Sequence, residues 1–350
     1  MNCKTTIFPV SNSIAEVYAP FLVRFIHREI QTLQADEVLI RIMASAICGS
    51  DLHIYKGKHP SAPLPVTIGH EFSGEVAAIG DDVHRIKPGM RVTVEPCVVC
   101  GTCEACRHGN YSYCENISFT YREGNGAMAD YIVVKESNVY PLPDYLSYET
   151  GALIEPLSVA THAVRRANIS LDDSVLIIGD GAIGLMITAM CQKCGASQII
   201  VAGHSDSRLE VALQFGATQV INTHKECLSE KILSLTNRKG VTKSFECVGK
   251  EACFHQAIES LRRNGVATIV GIYENQELHF SPARLVTHEI HIQGTQGYCW
   301  DFPIAIEAAK TIPLELVITH RFPLRSLDEA LHTALDHNSN SIKILLKNEM

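Results

Sequence analysis

"DDSVLIIGDGAIGLMITAMCQKCGASQIIVAG", residues 172–203, is the stretch whose reading decides the fold. Val175 to Ile178 is continuously apolar, the pattern of a strand covered on both faces in a parallel sheet. Gly179, Gly181 and Gly184 follow directly as G-x-G-x-x-G, and Ile183 to Met190 supply the apolar residues of a helix. A second apolar run then ends at Gly203. In that setting the glycines permit a tight turn, let a pyrophosphate approach backbone amides at the helix N-terminus, and let helix pack on strand. The segment reads as a dinucleotide-binding unit, with Gly179, Gly181, Ala182, Ile183 and Gly184 forming the phosphate cradle. Asp180 lies inside the loop, where a carboxylate aimed at phosphates would repel them, so it is expected to point away. Cys191 and Cys194, three apart on the helix, read as packing residues rather than a redox pair.

Outward from this unit, short apolar runs recur at "TQVIN", "KSFECVG", "VATIVGI" and "IHIQGT", separated by helix-like segments. The count reaches six strands, which makes an α/β, doubly wound parallel Rossmann sheet. The end of the second strand bears on the choice of nicotinamide cofactor, because an acid about 20 residues past the fingerprint normally accepts the ribose 2′-hydroxyl of NAD. Here that place holds Gly203, with His204, Ser205 and Arg208 beside it. These three are donors suited to a 2′-phosphate, so NADP is favoured over NAD. Asp206, acting from a shifted position, is the alternative.

The chain has 350 residues and 46% hydrophobic content, enough for two cored domains. A formal net charge of -8 and the lack of a Lys/Arg stripe give no reason to expect nucleic acid or an anionic membrane as partner. "MNCKTTIFPV" soon turns polar, and no run of about 18 apolar residues occurs. The expectation is a soluble, cytoplasmic protein acting on a small molecule. Thirteen cysteines, an odd number in a long chain, argue for reduced thiols, some of them metal ligands.

Five of those cysteines fall in "CVVCGTCEACRHGNYSYC", residues 97–114. Repeated C-x2-C spacing lets one short loop wrap a tetrahedral zinc. Either Cys97 or Cys114 can serve as the outer ligand. Cys100, Cys103, Cys106 and Cys114 are the set chosen, because Gly101 follows the first ligand and "RHGNYSY" can return the chain to the metal. Earlier, Cys48 in "AICGSDLHIYKG" precedes His70 and Glu71 of "IGHEFSGEV" by some 20 residues, and Glu155 follows in "GALIEPLSV". Thiolate, imidazole and carboxylate are all zinc ligands, and three of them leave a position open.

"ICGSDLH", "GHEFSGEV", "CGTCEAC" with Cys114, "GALIEPLSV" and the glycine fingerprint occur in an order and spacing that closely resemble the zinc-dependent medium-chain alcohol and polyol dehydrogenases. "EPLSVATHAVRRA" looks most like the sorbitol dehydrogenases of that family. The resemblance implies a mostly β, barrel-like GroES-like catalytic domain over residues 1–157, a cofactor domain over 158–294, and a return to the first domain over 295–350, with the active site in the cleft. It implies two zinc ions per chain. Cys48, His70 and Glu71 would take the catalytic one, with Glu155 near its open position as ligand, water partner or substrate contact. Ser50 and His53 would relay the released proton, and Phe119 and Tyr298 would face substrate.

Two departures bear on the substrate: Gly297 stands where sorbitol enzymes carry an arginine, and Ile54 replaces a pocket tyrosine. "GTQGYCWDFP" and "SNSIKILL" look more like 2,3-butanediol dehydrogenases, and "ITHRF" also occurs in threonine and sugar-acid relatives. The expectation is reversible oxidation of a secondary alcohol in a polyol, of sorbitol type, to a ketone. Butanediol, threonine and sugar acids are the alternatives, and an NADP-binding redox sensor is the non-enzymatic one. The family's habit of pairing through an edge strand, here "IHIQGT", implies a homo-oligomer, tetramer or dimer.

Overall fold

The strand that opens the fingerprint unit, β1 (Ser174–Ile178), is buried from Val175 onward and forms parallel pairs on both sides. The computed structural model describes residues 11–59, 61–274 and 277–348. The opening "MNCKTTIFPV" lies outside them. With β2 (Gln198–Gly203), β3 (Gln219–Asn222), β4 (Val241–Glu246), β5 (Leu261–Ile269) and β6 (His291–Gly294), the sheet order is β3-β2-β1-β4-β5-β6, parallel throughout. The order reverses between β1 and β4. This is the doubly wound sheet expected from the sequence, and its switch point places the loop after β1 where such sheets bind ligands. Leu176, Ile178, Ile200, Ala202 and Ile221 join Val241 and Ala267 in one buried apolar cluster against the helices.

The fingerprint loop joins β1 to α1 (Ala182–Lys193), and each glycine has a distinct reason. Gly179 has φ +121°, a conformation that side chains resist. A Cβ at Gly184 would lie 2.0 Å from the Gly179 carbonyl oxygen, so helix and strand approach through it. At Gly181 a Cβ would meet nothing within 4 Å. The middle of the loop is therefore open around Gly181. Cys191, in α1, is fully buried as a packing residue, whereas Cys194, the C-cap just beyond α1, is exposed and does not pack as expected.

The described chain divides into two units, one holding residues up to Glu155 and from Ile318 onward, the other Pro156–Val317. The return to the first unit thus comes later than 295. Residues 295–317 stay with the parallel sheet, where buried Asp301 holds His162 at 2.8 Å, the Arg165 guanidinium at 2.6 Å and the Cys299 amide at 2.8 Å.

The first unit is mostly β. Its largest sheet runs, in order, Val139–Pro141, Arg91–Val94, Glu71–Ile79, Glu37–Ala46, Lys343–Lys347 and Ile318–Pro323, with Tyr131–Lys135 also paired to Glu37–Ala46. The last strand of the chain is thereby inserted beside one of the first. Leu22–Arg28, Asn12–Ala19 and Val66–Thr67 make a smaller sheet. Among the described residues no helix is long and apolar enough to cross a membrane.

Gly184→Ala is expected to push α1 off β1 at an overpacking cost of about 1–3 kcal/mol. Thermal unfolding followed by circular dichroism should show a melting temperature several degrees lower, with Gly181→Ala unchanged; equal values for both variants would refute the close-approach argument.

Candidate functional site

In the first unit, strand Glu37–Ala46 delivers the chain to Cys48, which stands at the N-cap of the short helix Gly49–Tyr55. Gly69 and His70 lead into strand Glu71–Ile79, which pairs antiparallel with the first so that Ala46 faces Glu71. That register brings the two segments together. One ligand atom from each of Cys48, His70 and Glu71 lies within 4.8 Å of the others. Glu155, in the first turn of helix Ile154–Ala167, is 5% exposed and lies beside them, outside the group that closes within that distance. The chemistry of the donor set, thiol plus imidazole plus carboxylate with an acid adjacent, fits a zinc site with an open position.

Two residues outside the ligand set build this centre: Asp51, which the sequence assigns only to local structure, and Lys343. Asp51, fully buried, accepts the Cys48 amide at 2.9 Å and the Gly69 amide at 3.1 Å, while its Oδ1 lies 3.7 Å from His70 Nδ1. Its role extends beyond its own helix: it ties both ligand-bearing segments to one carboxylate and faces the imidazole from the side on which such groups orient metal-binding histidines. Lys343, on the returning strand, places Nζ 2.5 Å from both Glu71 oxygens and 3.1 Å from the Ile47 carbonyl oxygen. A buried pair such as this has no short-range sequence signature.

The electrostatics follow from burial. It pushes the Cys48 thiol up to about 12, with the negative charge of Glu71 adding to the effect and Lys343 opposing it. It pushes Glu155 up to about 8 against the pull of His70, with Glu71 and Cys48 reinforcing the rise. Burial pulls the Lys343 ammonium down, yet Glu71 and Cys48 hold it above its ordinary value.

Ser50 and His53 lie on helix Gly49–Tyr55, half-buried, and Ser50 hydrogen-bonds the Cys48 thiol. Phe119 stacks on Tyr121 with ring centroids 5.8 Å apart, and Tyr121 in turn lies 5.6 Å from the His70 ring. An aromatic wall therefore leads from Phe119 to the imidazole. Ile54 is 1% exposed and belongs to the apolar cluster that includes Tyr121, with Phe119 packed against it. In the second unit Tyr298 is buried edge-to-face on Phe302, and Gly297 has φ +57°, which gives the backbone its own reason to exclude an arginine there.

The cysteine loop closes separately. Sγ atoms of Cys100, Cys103, Cys106 and Cys114 all lie within 4.8 Å of one another, with Cys114 and Cys106 at 3.5 and 4.0 Å from Cys100. Four thiolates on a tetrahedral zinc stand about 3.8 Å apart, given Zn–S near 2.3 Å. The amides of Cys103 and Thr102 hold the Cys100 thiol down at about 5. Cys97 is buried in the strand Cys97–Val98 and stands outside the group.

Lys343→Met is expected to leave Glu71 as an uncompensated buried charge, costing the metal-free protein about 3–5 kcal/mol. Its melting temperature should fall and be partly restored by zinc, which supplies the missing cation; a drop of the same size with and without zinc would argue against the pairing.

The family description "Alcohol dehydrogenase GroES-like domain" matches residues 34–144, and "Zinc-binding dehydrogenase" matches 182–311. The chain is 37% identical to the sorbitol dehydrogenase of Bacillus subtilis (strain 168), with 89% of this chain and 90% of that protein covered. It is 32% identical to the D-arabitol-phosphate dehydrogenase of Enterococcus avium, over 92% and 93%. The crystal structure of 2R,3R-butanediol dehydrogenase from Bacillus subtilis superposes with a TM-score of 0.87 at 31% identity, over 97% of this chain and 100% of that one. With this fold, this donor set and these relatives, the chain belongs to the zinc-type medium-chain alcohol dehydrogenase family.

Proposed function

We propose that the protein reversibly oxidises a secondary alcohol of a polyol to a ketone, using a nicotinamide dinucleotide. The observation that carries this reading is the convergence of Cys48, His70 and Glu71 within 4.8 Å beside buried Glu155. Cys48, His70 and Glu71 would hold one zinc, and Cys100, Cys103, Cys106 and Cys114 a second that braces their loop. When bound, zinc supplies Lewis acidity toward a hydroxyl, and the nicotinamide supplies the hydride acceptor.

The chain's own residues then divide the work. Asp51 ties the Cys48 and Gly69 amides together and faces the His70 imidazole at 3.7 Å, so the two ligand-bearing segments are joined before substrate arrives. Glu155, buried beside the donor set, supplies a carboxyl that can accept or donate a proton next to the substrate hydroxyl. Ser50 and His53 lead from Cys48 along the half-buried helix and offer the substrate proton a way out. Phe119 and Tyr121 wall the site with apolar surface on the His70 side.

A phosphorylated polyol is a second reading, favoured by Arg122. Its guanidinium carbon lies 5.4 Å from the Phe119 ring centroid, steadied by the Ser61 hydroxyl at 2.9 Å. The edge strand β6 supports assembly as a homo-oligomer.

Initial rates of dinucleotide reduction with sorbitol, xylitol, 2,3-butanediol, threonine and D-arabitol phosphate test the reading. Sugar alcohols are expected to turn over on zinc-loaded protein, Cys48→Ala to be inactive, and Glu155→Gln to lose roughly 10²-fold in kcat. Turnover of butanediol alone would reject the polyol assignment, and preference for the phosphate ester would select the second reading. Zinc uptake supplies a further check. Since Cys48 is protonated at neutral pH in the metal-free chain and binds as thiolate, metal binding releases its proton and weakens as pH falls. Wild type should take up two zinc ions and Cys48→Ala one, with fewer protons released; the same stoichiometry in both would count against the assignment.

A further inference from the structure

The residue that reads the adenosine ribose is expected at the end of β2, and the sequence has Gly203 there. The structure shows why that position is bare. A Cβ built on Gly203 would fall 2.5 Å from each of three atoms of Asp180: Cβ, Cγ and Oδ2. A side chain at 203 and the side chain of Asp180 would occupy one volume, and Asp180 has it. The carboxylate missing from the strand is supplied from the second position of the fingerprint loop.

Asp180 is held there firmly. It is 9% exposed, and its Oδ2 accepts the His204 and Ser205 amides, both at 2.9 Å. A carboxylate has about four acceptor sites, and these two amides use the pair on Oδ2. Oδ1 accepts neither amide; it forms an ion pair with Arg208 NH1 at 3.8 Å, a distance that leaves its lone pairs open to a hydrogen-bond donor. The acid thus points away from the open face at Gly181, as expected, and toward the end of the second strand.

Asp206, the other acid in reach of the sequence argument, is engaged elsewhere: its oxygens take Lys225 Nζ at 2.5 Å and Asn222 Nδ2 at 2.7 Å. The basis for expecting a 2′-phosphate was an absent carboxylate, and a carboxylate is present. Arg208, cast as a phosphate donor, faces that carboxylate instead.

We propose that Asp180 is the specificity-determining residue for the adenosine ribose, accepting its hydroxyls through Oδ1 and selecting NAD over NADP. The proposal rests on the reading of the Gly179–Gly184 loop as a dinucleotide site. A 2′-phosphate would place its negative charge against this carboxylate, whereas a free 2′-hydroxyl donates to it.

The test is equilibrium binding, followed by energy transfer from the protein's one tryptophan, Trp300, to reduced nicotinamide, on zinc-loaded full-length chain. Wild type is expected to bind NADH at least tenfold more tightly than NADPH. Asp180→Asn should weaken NADH about tenfold and leave NADPH unchanged or tighter. In the double variant Asp180→Gly/Gly203→Asp, which moves the acid to the strand, the NADH preference should return; Gly203→Asp alone should bind both poorly because two side chains compete for one space. Equal or tighter NADPH binding by wild type overturns the proposal without any variant. So does an Asp180→Asn variant in which both affinities fall equally, the mark of a loop brace. Binding of neither dinucleotide to wild type would reject the underlying dinucleotide reading as well.

Discussion

Lys343 and Glu71 make a buried ion pair on which the geometry of the metal centre depends. Both Glu71 oxygens meet Nζ, which also takes the Ile47 carbonyl one residue before Cys48. Such pairs offset desolvation only when the geometry is good and both partners are present. The strand that carries Lys343 is fixed by register against Glu37–Ala46, where Leu345 faces Ala46 and the Ile47 amide bonds the Ile344 carbonyl. Backbone pairing thus fixes Lys343, and charge pairing fixes Glu71. Asp51 adds a second tie between the same two segments.

The parallel sheet is governed by close approach rather than by charge. Gly184 lets α1 lie on β1 within the reach of the Gly179 carbonyl, and Gly203 clears space for Asp180. In both cases a missing Cβ matters for what fills its place. One contact sets the helix on the strand; the other sets a carboxylate on the backbone amides of His204 and Ser205.

How much of this the sequence disclosed follows from contact range. The β1 run and the fingerprint are local, and so is the C-x2-C repeat, so their geometry is written in their spacing. Cys48, His70 and Glu71 were legible as ligand types in a family order. Lys343 was not, because 272 residues separate it from Glu71 and only strand register brings them together. Asp51 sits in the first turn of its helix, where an acid is common for local reasons, and nothing in the neighbouring sequence points to Gly69. Asp180 was read correctly as turning from the phosphates, but its destination required the β1–β2 pairing to be laid out in space. The return point near Ile318 was misjudged because Asp301 binds back to His162 and Arg165, a contact that no periodicity signals.

The two metal-ligand groups also differ in when they can exist. Cys100 to Cys114 form one loop with short connections, so their closure needs little of the remaining chain. The other group sits on a strand pair whose neighbour, Lys343–Lys347, begins 272 positions from Glu71. The thiol loop can therefore close before the strand Lys343–Lys347 has docked. Glu71 gains its lysine only once that strand has docked, so the second group waits on long-range folding that the thiol loop does not need.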